Sequence, residues 1–489
     1  MSKQENFRRK VTIAFMWKLL ERMGYQLVNF VIQVVLARLL SPEHFGIIAI
    51  MLVFVTLANV FNQNSLNLAL VQNKDVDEND YSSVLYVSLF IAMVLYILAY
   101  VAAPFIEKTY KINDFALLFR VLMLILFFGA FNSIQLAKVQ RELDFEKVFY
   151  SNIIGIIFAG IVGISLAYAE FGIWALVVYH LVNNLMCCIV MWFTIKWRPK
   201  LVFSISRIKI LFSFGWKLLV SGLIATLYDN LRSLIVGKKY DSTVLGYYSR
   251  GNSFPYLVVS CIDGSIQSVM LPALSEYQDN KQRVKSGMRK AMISSSFFVI
   301  PMMVGLAAIA KPLVLVLLTS KWLPCVPFIQ IHCLLYMFYP MASANLQAMN
   351  AIGRSDYYLK LEIIKKINGV LLLCIVVLYF EDVKYIAWSG VFAALINSVI
   401  NAYPNKKLLN YSYLEQLKDL TPSLIMSAVM FTAIYFLGLT LDNISPIILI
   451  LFQIISGTIV YIGLAYVFKV EAFQYFWEII KTPLIKGAK

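Results

Sequence analysis

The 489-residue chain predicts an all-α integral membrane protein of about fourteen transmembrane helices, and three observations carry that prediction. Sixty per cent of the residues are hydrophobic, 14% are charged and the mean hydropathy is +0.74, outside the range of soluble globular domains. Apolar runs long enough to cross the hydrocarbon core, about 20 residues each, recur along the whole length. Within several of them sit Lys and Arg side chains, each costing at least about 2.5–3.5 kcal/mol at the bilayer centre and so expected to face a polar cavity.

Taken in order, the first six runs cover residues 13–40, 46–70, 82–106, 115–137, 147–168 and 172–195. The next six cover 213–237, 243–272, 289–318, 325–350, 359–380 and 383–403. Two more follow at 420–439 and 444–468. The opening MSKQENFRRK has the charge of a signal n-region, but Lys18, Glu21 and Arg22 break the apolar stretch behind it. No small-x-small cleavage site follows, so 13–40 reads as a retained first helix. Connecting loops are mostly shorter than about 15 residues, which leaves no room for an inserted soluble domain.

The pattern repeats at about 200 residues. FMWKLL (15–20) returns as FGWKLL (214–219), and about thirty residues after each Trp a loop enters the next span at Gly46 or Gly246. IQLAKVQRELDFEKV (134–148) is echoed by LQAMNAIGRSDYYLK (346–360). Two echoes in the same order predict two pseudo-symmetric six-helix lobes around a central cavity, related by an axis along the membrane normal. The expected organisation is a cytoplasmic N-terminus (1–12), an N-lobe (13–195), a basic linker (196–212) and a C-lobe (213–404). Two additional helices (405–470) and a cytoplasmic tail (471–489) complete it. The segment KWRPKLVFSISRIKILFSFG (196–215), basic with interspersed apolar residues, suits an interfacial helix tying the lobes together.

Net charge +16 finds its account in membrane orientation, without nucleic acid. With the N-terminus inside, and with Arg38, Lys147, Lys217, Arg289, Lys290, Lys311, Lys360 and Lys384 near span ends counted with the adjoining loops, 28 of the 43 Lys and Arg residues fall on cytoplasmic segments and 8 on outer loops, which places both termini in the cytoplasm. The other seven lie within spans: Lys18, Arg22, Arg120, Arg232, Arg250, Lys365 and Lys366. Four acids share the spans, Glu21, Asp229, Asp263 and Glu362, so the interior is net positive and matches a phosphate or pyrophosphate group. Those acids are the candidates for H+ or Na+ coupling.

Helix 1 carries a polar stripe of Lys18, Arg22, Gln26 (or Tyr25), Asn29 and Gln33, at steps that keep one face. Asn59, Asn62, Gln63 and Asn67 are similarly placed in the second span. Such amides serve either as interhelical glue or as cavity lining. Arg22, a turn deeper than Lys18, and Arg250, with no acid at helical spacing, are the first choices for an anion contact, because a guanidinium fork matches phosphate oxygens. Asp229 and Arg232, three residues apart, can pair with each other. Glu362 can reach Lys365 or Lys366 but neutralises only one of them. Arg120, near an outer mouth, reads as an interfacial anchor, and the span histidines His180 and His332 read as packing residues.

Five cysteines fall within spans and Cys325 borders one, a pattern of core packing without zinc-site spacing. No GxxxxGK[ST], HExxH or GxSxG motif occurs, so no cofactor, metal or ATP hydrolysis is expected. Asp75-Val76-Asp77 matches a DxD pattern in a loop too short for a nucleotide-sugar domain.

Several motifs, in order and at consistent spacing, resemble the polysaccharide transporter family of the multidrug/oligosaccharidyl-lipid/polysaccharide exporter superfamily. They include WKLLERMGYQLVNF…LARLLSPEHFG (17–46), FGIWALV (171–177), KWRPKLVFS (196–204), VGKKYDSTVLGYYSRG (236–251), MLPALS (270–275) and GRSDYYLKLEIIKK (353–366). The likeness, greatest to the colanic-acid and O-antigen repeat-unit flippases, runs from about residue 10 to about residue 425. It implies a bacterial inner-membrane flippase that moves an undecaprenyl-pyrophosphate-linked oligosaccharide to the outer leaflet, with membrane lipids and polysaccharide polymerase machinery as partners. By motif, Glu21 and Arg22 correspond to the family's pair in helix 1. Arg250 falls where the related lipid II flippases have an arginine before an LP-x-LS segment, and Lys365 and Lys366 end the LEIIKK stretch. Gln63-Asn64-Ser65 replaces a common Asp-Ser-Gly, and Asp229 and Arg232 stand where Asn and an aromatic are usual.

Two rival readings remain at this point. One is a cation-coupled exporter of soluble small molecules or drugs, which a net positive interior disfavours for cationic drugs. The other is a membrane glycan polymerase, which needs a substantial outer loop for its chemistry.

Overall fold

The computed structural model describes residues 3–63, 66–73, 75–441, 444–475 and 477, and every regular element among them is a helix. The first ten helices are α1 (Lys3–Leu39), α2 (Pro42–Gln63), α3 (Leu66–Gln72), α4 (Glu78–Tyr110), α5 (Phe115–Leu122), α6 (Ile125–Glu142), α7 (Phe145–Tyr168), α8 (Trp174–Thr194), α9 (Ile205–Lys239) and α10 (Ser242–Ser275). Then come α11 (Lys281–Leu317), a 3-10 turn (Ser320–Cys325), α12 (Val326–Tyr336), α13 (Tyr339–Ala351), α14 (Ser355–Tyr379), α15 (Val383–Leu409), α16 (Tyr413–Thr440) and α17 (Pro446–Val467). Eleven helical segments among the described residues are long and apolar enough to cross a membrane. Helices α1, α10 and α14 are not among those eleven, although their 37, 34 and 25 residues suffice in length. They are the helices that carry Lys18 and Arg22, Arg250, and Lys365 and Lys366.

Polar side chains set where these helices begin. Asp77 and Asp80 form a capping box at the start of α4, and Ser412 and Glu415 form another at α16. Ser41 Oγ accepts from the His44 amide at 3.4 Å before α2, and Asp241 Oδ1 accepts from the Val244 amide at 2.7 Å before α10. The two caps are 200 residues apart, in step with the repeat. The fourth span is interrupted between α5 and α6, and a similar break parts α12 from α13.

The chain divides into two compact units, Met1–Ser249 and Arg250–Lys489. In the first, α7 packs against α1 and α8, while α9 packs against α2, α3 and α4. A cluster of Leu70, Tyr81, Leu85, Ile134, Trp197 and Leu211 fills the end where α3, α4 and α6 meet the segment before α9. In the second unit α11 touches α12, α13, α15, α16 and α17. Tyr461 of α17 donates to the Phe297 carbonyl of α11 at 2.9 Å, and Arg289 of α11 bonds both Asp419 and Glu471 at 2.8 Å. Large apolar side chains such as Phe105 on α4, Phe193 on α8 and Ile459 on α17 are more than 60% exposed, as lipid-facing surfaces require.

Within the first unit the starts of α2 and α10 cross at glycine. A Cβ on Gly46 would overlap the Ser242 carbonyl, and one on Gly246 would overlap the Pro42 carbonyl. Position 46 meets 242 as 246 meets 42, the reciprocal exchange of a local two-fold contact.

The segment expected as an interfacial helix differs. Residues 195–204 are not helical, and α9 runs unbroken from Ile205 to Lys239. The physical reason is that side chains of α4 take up its backbone groups. Ser82 Oγ accepts from the Lys200 amide at 3.0 Å, Ser83 Oγ accepts from the Ser204 amide at 3.1 Å, and Tyr86 donates to the Lys200 carbonyl at 3.0 Å. Arg207 then forks onto the buried Asp80 carboxylate and reaches the Asp75 carbonyl. Asp80→Ala is expected to cost about 2 kcal/mol, since it strips a half-buried guanidinium of its charged acceptor. Denaturation of the detergent-solubilised protein measures it, and a cost below about 0.5 kcal/mol would show that the clamp contributes nothing beyond a surface ion pair.

Candidate functional site: the polar face of the first helix

In α1 the residues of the predicted stripe divide between two tasks. Glu21 is buried; its Oε2 lies 2.7 Å from Lys18 Nζ and its Oε1 accepts from Asn152 of α7 at 2.7 Å. Farther along, Asn183 of α8 donates to the Tyr25 hydroxyl at 3.2 Å, and the Tyr179 hydroxyl donates to Asn29 Oδ1 at 2.8 Å. Gln33 also bonds Tyr179. Glu21, Tyr25, Asn29 and Gln33 therefore tie α1 to α7 and α8, the interhelical use of polar groups in a membrane. Arg22, by contrast, is exposed, and Gln26 is half-buried. Arg22 thus lies on the exposed side of a membrane-length helix, beside a carboxylate held by Lys18 and Asn152, and a guanidinium fork is the group that matches phosphate oxygens.

The other candidates spread over both units. Asn59 of α2 is half-buried, with an Oδ1 that has no hydrogen-bond partner among the described residues. The side chains of Asn62, Gln63 and Asp263 lie outside the described ones. On α9, Asp229 is exposed and Arg232 is half-buried with Tyr248 in its field. In the second unit Arg250 is 9% exposed, its guanidinium carbon 5.7 Å from the centre of the fully buried Trp322 ring. That distance is within cation–π range. Asn252, two residues on, accepts from Tyr336 of α12 at 2.8 Å, so this stretch of α10 sits in a packed wall.

In α14, Lys365 is the one of the two lysines that pairs with Glu362, at 2.5 Å, and Lys366 has no ion-pair partner among the described residues. Where α14 begins, Arg354 forks onto Asp356 with two contacts of 2.9 Å and holds that carboxyl down at about 2. His332 Nδ1 lies 2.7 Å from the Phe328 carbonyl within one helix, in keeping with a packing role. All six cysteines are free thiols. Among the described residues no three His, Cys, Asp or Glu side chains come together as metal ligands.

Asn152, Tyr179 and Asn183 are partners that the stripe alone does not reveal. The signal that could have found them is the recurrence of polar residues, Asn152 in α7 and Tyr179 and Asn183 in α8, within otherwise apolar runs.

An uncharacterized membrane protein from the cps region of Klebsiella pneumoniae is 24% identical over 406 residues, 81% of this chain and 81% of that protein. The succinoglycan biosynthesis transport protein ExoT of Rhizobium meliloti (strain 1021) is 24% identical over 306 residues, 63% of this chain and 62% of its own. The fold is shared with the lipid II flippase MurJ in an inward-closed conformation. Its TM-score is 0.76 at 19% identity, covering 93% of this chain and 98% of that one. An all-α membrane-transporter fold is thus established for the chain. A family model described as polysaccharide biosynthesis protein matches residues 35–327, more than half of the length, and the chain belongs to that family.

Proposed function

We propose that the chain is a flippase for an undecaprenyl-pyrophosphate-linked oligosaccharide, a transporter and not an enzyme. It carries the repeat unit from the inner to the outer leaflet of a bacterial inner membrane, for assembly of O-antigen, capsule or exopolysaccharide. The observation that carries the reading is Arg22: an exposed guanidinium in a helix of membrane length, next to a neutralised Lys18–Glu21 pair. A pyrophosphate cannot cross hydrocarbon unshielded, so a cation held at that depth supplies what the cargo needs. ExoT is named a biosynthesis transport protein and MurJ a lipid II flippase, and both names agree with this reading.

Alternating access by two six-helix lobes, 13–195 and 213–404, is the mechanism that the repeat suggests. Arg22 contacts the pyrophosphate, and Lys18, Arg232, Arg250, Lys365 and Lys366 are the further candidate cations. Both termini are cytoplasmic, following the bias of Lys and Arg in the loops. The polyprenyl tail stays in lipid throughout.

The test is a deletion strain complemented with wild type or Arg22→Ala, with lipid-linked oligosaccharides quantified by mass spectrometry and their leaflet assigned by a membrane-impermeant sugar probe. The expected result is a pool held on the cytoplasmic leaflet and released by wild type alone. An unchanged pool and sidedness in the deletion, in a strain with no second flippase, would favour the exporter of soluble small molecules.

A further inference from the structure

One aromatic cluster adjoins the cationic stripe, with Lys18 Nζ 5.7 Å from the centre of the Phe145 ring, and has no assigned task. At the start of α1, Trp17 lines a cavity of about 470 Å³ together with Lys10, Glu142, Asp144, Phe145 and Glu146. That volume is within the range of small-molecule sites. The Trp17 ring centre is 5.4 Å from that of Phe149 and 5.9 Å from that of Tyr150, so the indole is braced by two rings of α7. Glu142 and Glu146 are exposed, while Asp144 is tied to Lys147 at 2.7 Å.

The chemistry of this pocket is opposite to that of Arg22. Glu142 and Glu146 outnumber Lys10 in the lining once Lys147 has paired with Asp144, so the rim is net acidic and disfavours the pyrophosphate and an anionic lipid headgroup. A braced indole face with carboxylate acceptors around it matches a pyranose instead. The ring's C–H face packs on the aromatic while its hydroxyls donate to the acids. Trp17 precedes Arg22 by five residues, about 7.5 Å of rise, and is turned about 140° around the helix. A path of that length and turn is too long for the sugar next to the pyrophosphate and suits one two or three units farther out.

We infer that the Trp17 pocket is a carbohydrate subsite that holds a distal sugar of the lipid-linked oligosaccharide. This inference rests on the flippase reading. It makes α1 a two-part reader: a cation for the invariant pyrophosphate and an aromatic-acidic pocket for the variable glycan.

The test uses the full-length protein in phosphatidylcholine/phosphatidylglycerol nanodiscs. These are titrated with citronellyl diphosphate, and separately with citronellyl diphosphate bearing a trisaccharide of glucose, galactose or N-acetylglucosamine. For wild type, at least one trisaccharide is expected to tighten binding about tenfold over the bare diphosphate. Trp17→Ala should erase that gain while the bare diphosphate binds as before, and Trp17→Phe should keep most of it. Glu146→Gln should reduce the gain without touching the aromatic platform. The inference is overturned if no trisaccharide improves on the bare diphosphate, or if Trp17→Ala retains the gain. Failure of wild type to bind citronellyl diphosphate at all would instead remove the flippase reading, and the inference with it.

Discussion

Gly46→Val is expected to abolish transport and to destabilise the protein by at least about 3 kcal/mol, with Gly246→Val doing the same. The cause is geometric. A Cβ at either position overlaps a backbone carbonyl, Ser242 for Gly46 and Pro42 for Gly246, and a carbonyl in a helix start has no rotamer by which to retreat. The two helix starts must then move apart, losing the caps at Ser41 and Asp241 that depend on their present path. Gly463→Val is the control, because nothing lies within 4 Å of a Cβ there. Thermal unfolding in detergent, alongside complementation of a transport-deficient strain, measures both effects. Wild-type melting for Gly46→Val would contradict the close crossing.

Arg22→Ala is expected to lower flipping by about tenfold to a hundredfold while leaving the fold intact. A charge-assisted hydrogen bond to phosphate is worth about 1.5–3 kcal/mol, and each 1.4 kcal/mol is tenfold. The fold survives because Arg22 is exposed, whereas Glu21 beside it holds α1 to α7 through Asn152. Arg22→Lys should recover part of the rate, since it restores the charge without the planar fork. Initial flipping rates at matched protein levels measure this. Equal rates for wild type and Arg22→Ala would remove the guanidinium from the pathway.

The helical membrane fold was legible because hydropathy over about 20 residues decides it locally. The two caps at Ser41 and Asp241 follow the repeat read at Gly46 and Gly246. That the two glycines would meet was not legible, since spacing along the chain says nothing of which helix starts touch. The stripe on α1 was legible as periodicity, but its division was not. Tyr25, Asn29 and Gln33 are glue because α8 brings Tyr179 and Asn183 to them, about 150 residues away in sequence. Arg250 stood out as a charge without an acid, and its aromatic neighbour Trp322 comes from a 3-10 turn that local pattern does not position. The linker misled for a related reason. Its amphipathic composition suits a helix, yet Ser82, Ser83 and Tyr86 bond its backbone in a non-helical path.

The decisive measurement is flipping by the purified protein in proteoliposomes containing an undecaprenyl-pyrophosphate-linked oligosaccharide distributed over both leaflets. An impermeant galactose oxidase reports on a galactose-bearing repeat unit. The account predicts that, in the time wild type needs to make nearly the whole pool oxidisable, Arg22→Ala exposes little beyond the outer-leaflet half. A pool that stays at the outer-leaflet half with wild-type protein, as in empty liposomes, would contradict it.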